Sequence, residues 1–120
     1  MKKSILLIDD RPEIAKIIII YLSAFEVKYV ENALLAMEWL SNGNIPDLII
    51  SDINMPEMSG EDFLIYVKGT KEFCSIPVFI LSSIDKDEDR IRLLKEGADD
   101  FILKPFNPEE LKVRVKGVLG

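Results

Sequence analysis

The chain alternates between short apolar runs and longer segments in which apolar residues recur at helical spacing. The runs are continuously apolar rather than alternating, which is typical of parallel strands covered by helices on both faces. They predict five strands, near Ser4–Ile8, Val27–Val30, Leu48–Ser51, Val78–Leu81 and Asp100–Leu103. The second run contains Lys28 and is the most polar of the five, so it suits an edge of the sheet.

Five helices are predicted between and after these strands. The first is the least obvious, because Ile17–Ile20 alone could form a strand. Pro12 near its start and one apolar face favour a helix, and that face consists of Ile14, Ile18, Tyr21, Leu22 and Phe25. The other helices are predicted at Asn32–Asn42, Ser59–Thr70, Asp87–Glu96 and Pro108–Leu119, the last with Asn107 as N-cap. This order predicts an α/β fold with a doubly wound parallel sheet, in one domain over residues 1–120.

Composition narrows the class of protein. Hydrophobic residues make up 48% and charged residues 30%, as in a folded, soluble domain. The net charge of −6 disfavours direct nucleic-acid binding, and the absence of histidine removes the commonest general base. Cys74 is the only cysteine, which fits a reducing compartment.

The apolar run that stops at Asp9 is too short for a signal peptide, and no stretch reaches membrane-spanning length. We therefore expect a cytoplasmic location without membrane contact.

The polar residues of chemical interest follow four of the predicted strands. They are Asp9 and Asp10 after the first, Asp52 after the third, Ser82 after the fourth and Lys104 after the fifth. The carboxyl ends of parallel strands meet at one edge of a sheet, so these side chains should share a pocket. Carboxylates bind Mg²⁺, while a hydroxyl and an ammonium group can contact phosphoryl oxygens.

Each of these residues also has an ordinary structural explanation. Asp10 could cap the first helix, and Asp52 could open a turn before Pro56 and Gly60. Ser82 and Lys104 could simply be polar strand ends. The functional interpretation depends on their order and shared position. In that interpretation Asp52 is a carboxylate nucleophile, and a divalent cation offsets the repulsion among the three acids.

These residues resemble the motifs of bacterial response-regulator receiver domains, the phosphoacceptor modules of two-component signalling. The resemblance covers essentially the whole chain. Its motifs are Ile8-Asp9-Asp10, Asp52 to Gly60, Pro77 to Ser83, Gly97 to Phe101 and Lys104-Pro105-Phe106. It implies a flavodoxin-like sheet of order 2-1-3-4-5. One mild departure is Ser83, where alanine or another small residue is usual.

The resemblance implies a role for each site residue. Asp52 would be the phosphoacceptor, and Asp9, Asp10, Asp52 and the backbone carbonyl of Asn54 would bind Mg²⁺. Lys104 would contact the phosphoryl group. The switch pair would be Ser82 and Phe101, and the residues that tune the phosphoryl lifetime would be Asn54 and Ile84, with Ile84 slowing hydrolysis.

The resemblance also implies partners and an output. A sensor histidine kinase or a histidine phosphotransfer protein would donate the phosphoryl group. The surface of helix four, strand five and helix five would then change to control an output domain or partner, with a phosphorylation-dependent dimer as one form of output. Exposed Ile20 would lie where the donor docks, whereas Leu34 and Leu35 occupy helix-two positions that are usually polar. The chain would assist its own phosphorylation without being a conventional enzyme.

Three other interpretations are weaker. A haloacid-dehalogenase-type phosphatase needs a second aspartate two positions after Asp9, where Arg11 stands. A flavodoxin-like cofactor binder needs a phosphate-binding loop rich in serine, threonine and glycine after the first strand, and none follows. A receiver-like interaction module that works without phosphorylation remains the main alternative.

Overall fold

A parallel five-stranded sheet forms the centre of the computed structural model, which describes residues 2–120. Its strands are β1 (Ser4–Ile8), β2 (Glu26–Val30), β3 (Leu48–Asp52), β4 (Val78–Ser82) and β5 (Asp100–Leu103). The spatial order is β2-β1-β3-β4-β5, which confirms both the implied topology and the edge position of the second strand.

Within the described residues, five helices alternate with the strands. They are α1 (Pro12–Tyr21), α2 (Ala33–Ser41), α3 (Gly60–Gly69), α4 (Asp87–Lys95) and α5 (Pro108–Leu119). Local capping explains several of the starts. The Asn32 side chain accepts a hydrogen bond from the Leu35 N–H at 2.8 Å, and Asn107 accepts one from the Glu109 N–H at 2.8 Å. The predicted cap at Asn107 is therefore confirmed.

The end of the first helix differs from the prediction. The helix stops at Tyr21, whereas the predicted apolar face continued through Leu22 to Phe25. Leu22 and Phe25 are still buried, but they lie in the turn that leads to β2. The prediction of Tyr21 on the core face was wrong, since this residue is 39% exposed. The apolar spacing continues beyond the helix because Leu22 and Phe25 in this turn pack into the same apolar layer as α1.

The sheet separates two apolar layers. On one face α1 and α5 pack against Ile5, Leu7 and Ile50. On the other face α2, α3 and α4 pack against Leu6 and Ile8, among others. Side chains alternate between the faces of a strand, so full coverage of both faces explains why β1, β3 and β4 carry almost no polar residues before their carboxyl ends.

The register brings those carboxyl ends to one edge. Ile8 pairs with Val30 and Ser51, Asp52 pairs with Leu81, and Ser82 pairs with Leu103. The polar residues that end or follow β1, β3, β4 and β5 are therefore held at similar height. Within residues 2–120, no helix combines the length and apolar character that a membrane span requires.

Candidate functional site

Three carboxylates converge at the carboxyl edge of the sheet. Asp9 directly follows β1, Asp10 comes next, and Asp52 is the last residue of β3. One oxygen of each carboxylate lies within 4.8 Å of the others. Asp9 is fully buried and Asp52 is 6% exposed, whereas Asp10 is open to solvent. Two of the three carboxylates are therefore buried, and solvent reaches the cluster at Asp10.

Lys104 provides a cation at the buried side of this cluster. It follows β5 directly, and its peptide bond to Pro105 is cis. The Lys104 Nζ lies 3.3 Å from Asp52 Oδ1 and 3.4 Å from Asp9 Oδ2. One ammonium group thus faces two carboxylates, which leaves the cluster with an excess of negative charge.

Gly60 allows the backbone after Asp52 to turn tightly into α3. The Gly60 N–H donates to the Ile53 carbonyl at 2.8 Å. A Cβ at Gly60 would collide with the backbone oxygen of Asp52 and would lie 2.8 Å from the Ile53 Cα. Only glycine fits this approach, so the start of α3 is seated directly against the strand end that carries Asp52.

Burial controls the electrostatics of Asp52. It raises the pKa of the Asp52 carboxyl above its ordinary value, and the negative charge of Asp9 adds to the rise. The Lys104 ammonium opposes this effect by favouring the ionised form. A further cation at the cluster would favour the ionised form of Asp52, which is the form that a carboxylate nucleophile requires.

A cavity of about 610 Å³ opens over this site. Asp10, Asp52 and Lys104 line it together with Asn54 and Ser83. Its other wall is more apolar and contains Ile14, Ile17, Pro105, Phe106 and Pro108. The space can therefore admit a phosphoryl group and part of the molecule that carries it.

The remaining predicted residues, Ser82, Phe101 and Ile84, do not line this cavity. Ser82 is buried at the end of β4, and its Oγ accepts a hydrogen bond from the Ile84 N–H at 3.0 Å. Phe101 pairs with Ile80 across the sheet and packs against the layer of α2, α3 and α4. Side-chain alternation places Ser82 on that same face. Ile84 is half-buried, and its role in phosphoryl lifetime stays a prediction.

Besides the apolar wall of the cavity, three residues with polar groups at the site were not predicted from the sequence. Ser83, noted only as a departure from the family pattern, lines the cavity. The Arg11 N–H donates to Asp9 Oδ1 at 2.9 Å, and the Tyr29 hydroxyl donates to the Asp9 carbonyl at 2.8 Å. The Arg11 contact is a local Asx turn that the Asp9-Asp10-Arg11 sequence allows. The Tyr29 contact joins β2 to the residue that follows β1, and no local pattern indicates it.

The donor set fits a hard divalent cation. Carboxylate oxygens are the preferred protein ligands of Mg²⁺ and Mn²⁺, and the exposed Asp10 leaves room for bound water. Two of the three acids are buried and share a single ammonium group, so additional positive charge would stabilise the cluster. Asp9, Asp10 and Asp52 are the residues that would hold such an ion.

Comparison with known sequences gives consistent relatives. A family profile described as the response regulator receiver domain matches residues 5–116. Response regulator Rre1 of Synechocystis is 36% identical over 120 residues, which are 98% of this chain and 52% of Rre1. The phosphate regulon regulator PhoB of Escherichia coli is 36% identical over 99% of this chain and 52% of its own length. The chain thus spans about half the length of these two relatives.

A sensor histidine kinase and several solved structures are also similar. TmoS of Ectopseudomonas mendocina is 34% identical over 97% of this chain and 12% of its own length. A histidine kinase receiver domain from Syntrophus aciditrophicus is 37% identical, with a TM-score of 0.89 over 98% of this chain and 89% of that one. The Mn²⁺-bound form of response regulator Rcp1 has a TM-score of 0.82 at 25% identity, over 97% of this chain and 91% of that one. The BeF₃-activated receiver domain of DrrB has a TM-score of 0.86 at 29% identity, over 99% of this chain and 98% of that one.

Proposed function

The chain belongs to the response regulator receiver family of two-component systems, and on that premise we propose that it is a switch operated by phosphorylation of Asp52. The observation that carries this proposal is the position of Asp52. It ends the central strand β3, borders a cavity, and lies beside Lys104 and two further acids.

Mg²⁺ is the proposed cation of this site, held by Asp9, Asp10 and Asp52 with help from the Asn54 backbone carbonyl. When bound, it supplies positive charge to the phosphoryl oxygens and lowers the repulsion among the acids. The oxygen donors support this assignment, and the structural neighbour Rcp1 is described in a Mn²⁺-bound form.

The proposed reaction is a direct phosphoryl transfer. A carboxylate oxygen of Asp52 attacks the phosphorus of a phosphohistidine, so that a P–O bond forms as the P–N bond breaks and the imidazole leaves with the electron pair. The Lys104 Nζ, 3.3 Å from Asp52 Oδ1, is placed to meet a phosphoryl oxygen on the product. Water later hydrolyses the acyl phosphate and restores Asp52. The chain is thus proposed to assist one turnover of its own modification rather than to act as a conventional enzyme.

Ser82 and Phe101 are proposed to transmit the change. Both lie on the face of the sheet that is covered by α2, α3 and α4, and Ser82 ends the strand next to Asp52. A turn of Ser82 towards the phosphoryl oxygens would break its bond with the Ile84 N–H and free the loop before α4. The molecular surface formed by α4, β5 and α5 would then shift from one set of conformations to another.

The proposed phosphoryl donor is a sensor histidine kinase or a histidine phosphotransfer protein. The relatives support this class, because they include both a sensor histidine kinase and the transcriptional regulator PhoB. Ile20 on α1 is 70% exposed and offers the donor an apolar contact on the helix that also borders the cavity. An output domain or partner protein is proposed to bind the altered surface of α4, β5 and α5.

Intact-mass measurement after incubation with acetyl phosphate and Mg²⁺ tests the proposal. Wild type should gain one phosphoryl group, which hydroxylamine should remove because it is an acyl phosphate. Asp52→Asn should gain none, because an amide is not a nucleophile for this transfer. Asp62→Asn, which makes the same chemical change at an exposed position on α3, should behave like wild type.

Labelling of Asp52→Asn would refute Asp52 as the acceptor. An unmodified wild type at saturating Mg²⁺ would instead favour an interaction module that works without phosphorylation. Circular dichroism of each variant ensures that a missing adduct does not reflect an unfolded protein.

A further inference from the structure

Tyr29 lies on the edge strand but reaches the main chain of the metal-binding pair. It pairs in register with Leu7 of β1, and its ring packs against the layer of α1 and α5. Its hydroxyl donates to the Asp9 carbonyl oxygen at 2.8 Å. A phenylalanine would provide the same ring packing, so packing does not explain the hydroxyl.

The Asp9 main chain is held by β2 at two points. The Asp9 N–H donates to the Val30 carbonyl at 3.3 Å, and the Asp9 carbonyl accepts from Tyr29. Asp9 is fully buried, so its carbonyl would be left without this hydrogen-bond partner if the hydroxyl were absent. Such a carbonyl would tend to rotate towards another donor.

That carbonyl belongs to the peptide that leads into Asp10. The peptide group is planar, so its oxygen and the Asp10 N–H turn together. The Asp9 side chain is also fixed, because it accepts a hydrogen bond from the backbone N–H of Arg11. The Asp10 side chain, in contrast, is exposed and accepts no hydrogen bond within residues 2–120. The orientation of the peptide before Asp10 therefore contributes to where this carboxylate points, together with the side-chain torsions of Asp10.

We infer that Tyr29 is a positioning residue for metal binding, which acts by fixing the Asp9–Asp10 peptide and thus the Asp10 carboxylate. This role rests on the proposed function, because it assumes that Asp10 binds the cation. Groups that orient metal ligands without touching the metal commonly affect metal affinity. The 2.8 Å bond from the edge strand is such a contact.

The test compares Mg²⁺ affinity in Tyr29→Phe, Tyr21→Phe and wild type by calorimetry, well below the melting temperature. Loss of one neutral hydrogen bond should weaken Mg²⁺ binding about three- to tenfold in Tyr29→Phe. Tyr21→Phe removes the same hydroxyl from an exposed ring on α1 and should leave the affinity unchanged. At saturating Mg²⁺, modification of Tyr29→Phe by acetyl phosphate should approach the wild-type rate.

A second measurement separates positioning from general loss of stability. Without metal, the amide resonance of Asp10 should shift in Tyr29→Phe more than amide resonances elsewhere. The reason is that the Asp10 N–H shares a peptide group with the Asp9 carbonyl, which has lost a hydrogen bond. Equal Mg²⁺ affinity in Tyr29→Phe and wild type would overturn the inference while leaving the proposed function intact. A wild type that binds no Mg²⁺ would overturn both.

Discussion

At the scale of single residues, Lys104 would both neutralise part of the acidic cluster and compete with a metal ion for its carboxylates. Its ammonium group lies within 3.4 Å of Asp9 and Asp52, two of the proposed cation ligands. Before phosphorylation this contact neutralises part of the charge that attracts a metal ion. After phosphorylation the same group can follow the charge to the phosphoryl oxygens. If the proposed function holds, Lys104 would thus have opposite effects on metal binding and on phosphoryl transfer.

Lys104→Met should separate these two effects. Mg²⁺ affinity should rise several-fold, since removing a partly buried counter-charge from two acids is worth about 1 kcal/mol. Modification of Asp52 by acetyl phosphate should slow at saturating Mg²⁺, because the phosphoryl oxygens lose a cation. Calorimetry and the rate of adduct formation measure the two quantities.

Lys71→Met is the matched control for this variant. It makes the same change in net charge at an exposed position outside the cluster, so it should alter neither quantity. Weaker Mg²⁺ binding in Lys104→Met would mean that Lys104 supports the metal site rather than competing with it.

At the scale of elements, a charged network joins α3 to α4. The Arg92 guanidinium donates to both oxygens of Glu61, at 3.0 and 3.1 Å, and it also pairs with Asp89. Glu61 directly follows Gly60, the residue that seats α3 against Asp52. Glu96 lies at the end of α4, and its Oε2 is buried with no hydrogen-bond partner in the part of the chain that the structure describes. The network thus connects the end of the strand that carries Asp52 to α4, the helix that the proposed switch would move.

Glu96→Gln should make stability less dependent on pH. Burial raises the pKa of Glu96 above its ordinary value of 4.5, and its contact with the Glu61 carboxylate adds to the rise. The folded state therefore holds this proton more tightly, so the contribution of Glu96 is complete below the ordinary value and is lost as pH rises through the folded pKa. Glutamine keeps a donor without titrating, and it should raise the free energy of unfolding at neutral pH.

Urea unfolding between roughly pH 4 and pH 7 measures this effect. The gain should be roughly 0.5 kcal/mol at neutral pH, because water screens part of the site, and it should vanish near the lower limit. Glu88→Gln on the exposed face of α4 should show no such trend. A gain that is constant across the range would assign the effect to packing or helix propensity instead of to titration.

The same elements show what the sequence could and could not predict. Strand positions were predictable to within a residue or two, since burial on both faces leaves uninterrupted apolar runs, and Asn107 was identified because capping is local. The gathering of Asp52 and Lys104 followed from topology once the strands were parallel. The contact from Tyr29 to Asp9 spans 20 residues and that from Arg92 to Glu61 spans 31, so their existence depends on tertiary geometry that no periodicity records.

At the scale of the whole molecule, part of the net negative charge lies at the carboxyl edge of the sheet. The chain carries a net charge of −6, and three of its acids lie together beside one ammonium group. The unfolded chain separates these acids and relieves their repulsion, while only the folded chain presents a metal site. Folding and cation binding are therefore thermodynamically linked, and Mg²⁺ should stabilise the fold.

The melting temperature should rise with Mg²⁺ in wild type and much less in Asp10→Asn. At ten times the dissociation constant the linkage is worth about 1.4 kcal/mol, or roughly 5 °C for a chain of this size. In EDTA the order should reverse, because Asp10→Asn removes one charge from the repelling cluster and should melt at or above the wild-type temperature. Glu72→Gln changes the net charge equally at an exposed position elsewhere and should respond to Mg²⁺ like wild type. Calorimetric scans of the three proteins with and without Mg²⁺ decide the matter. An equal rise in wild type and Asp10→Asn would show that the ion stabilises the chain without using Asp10.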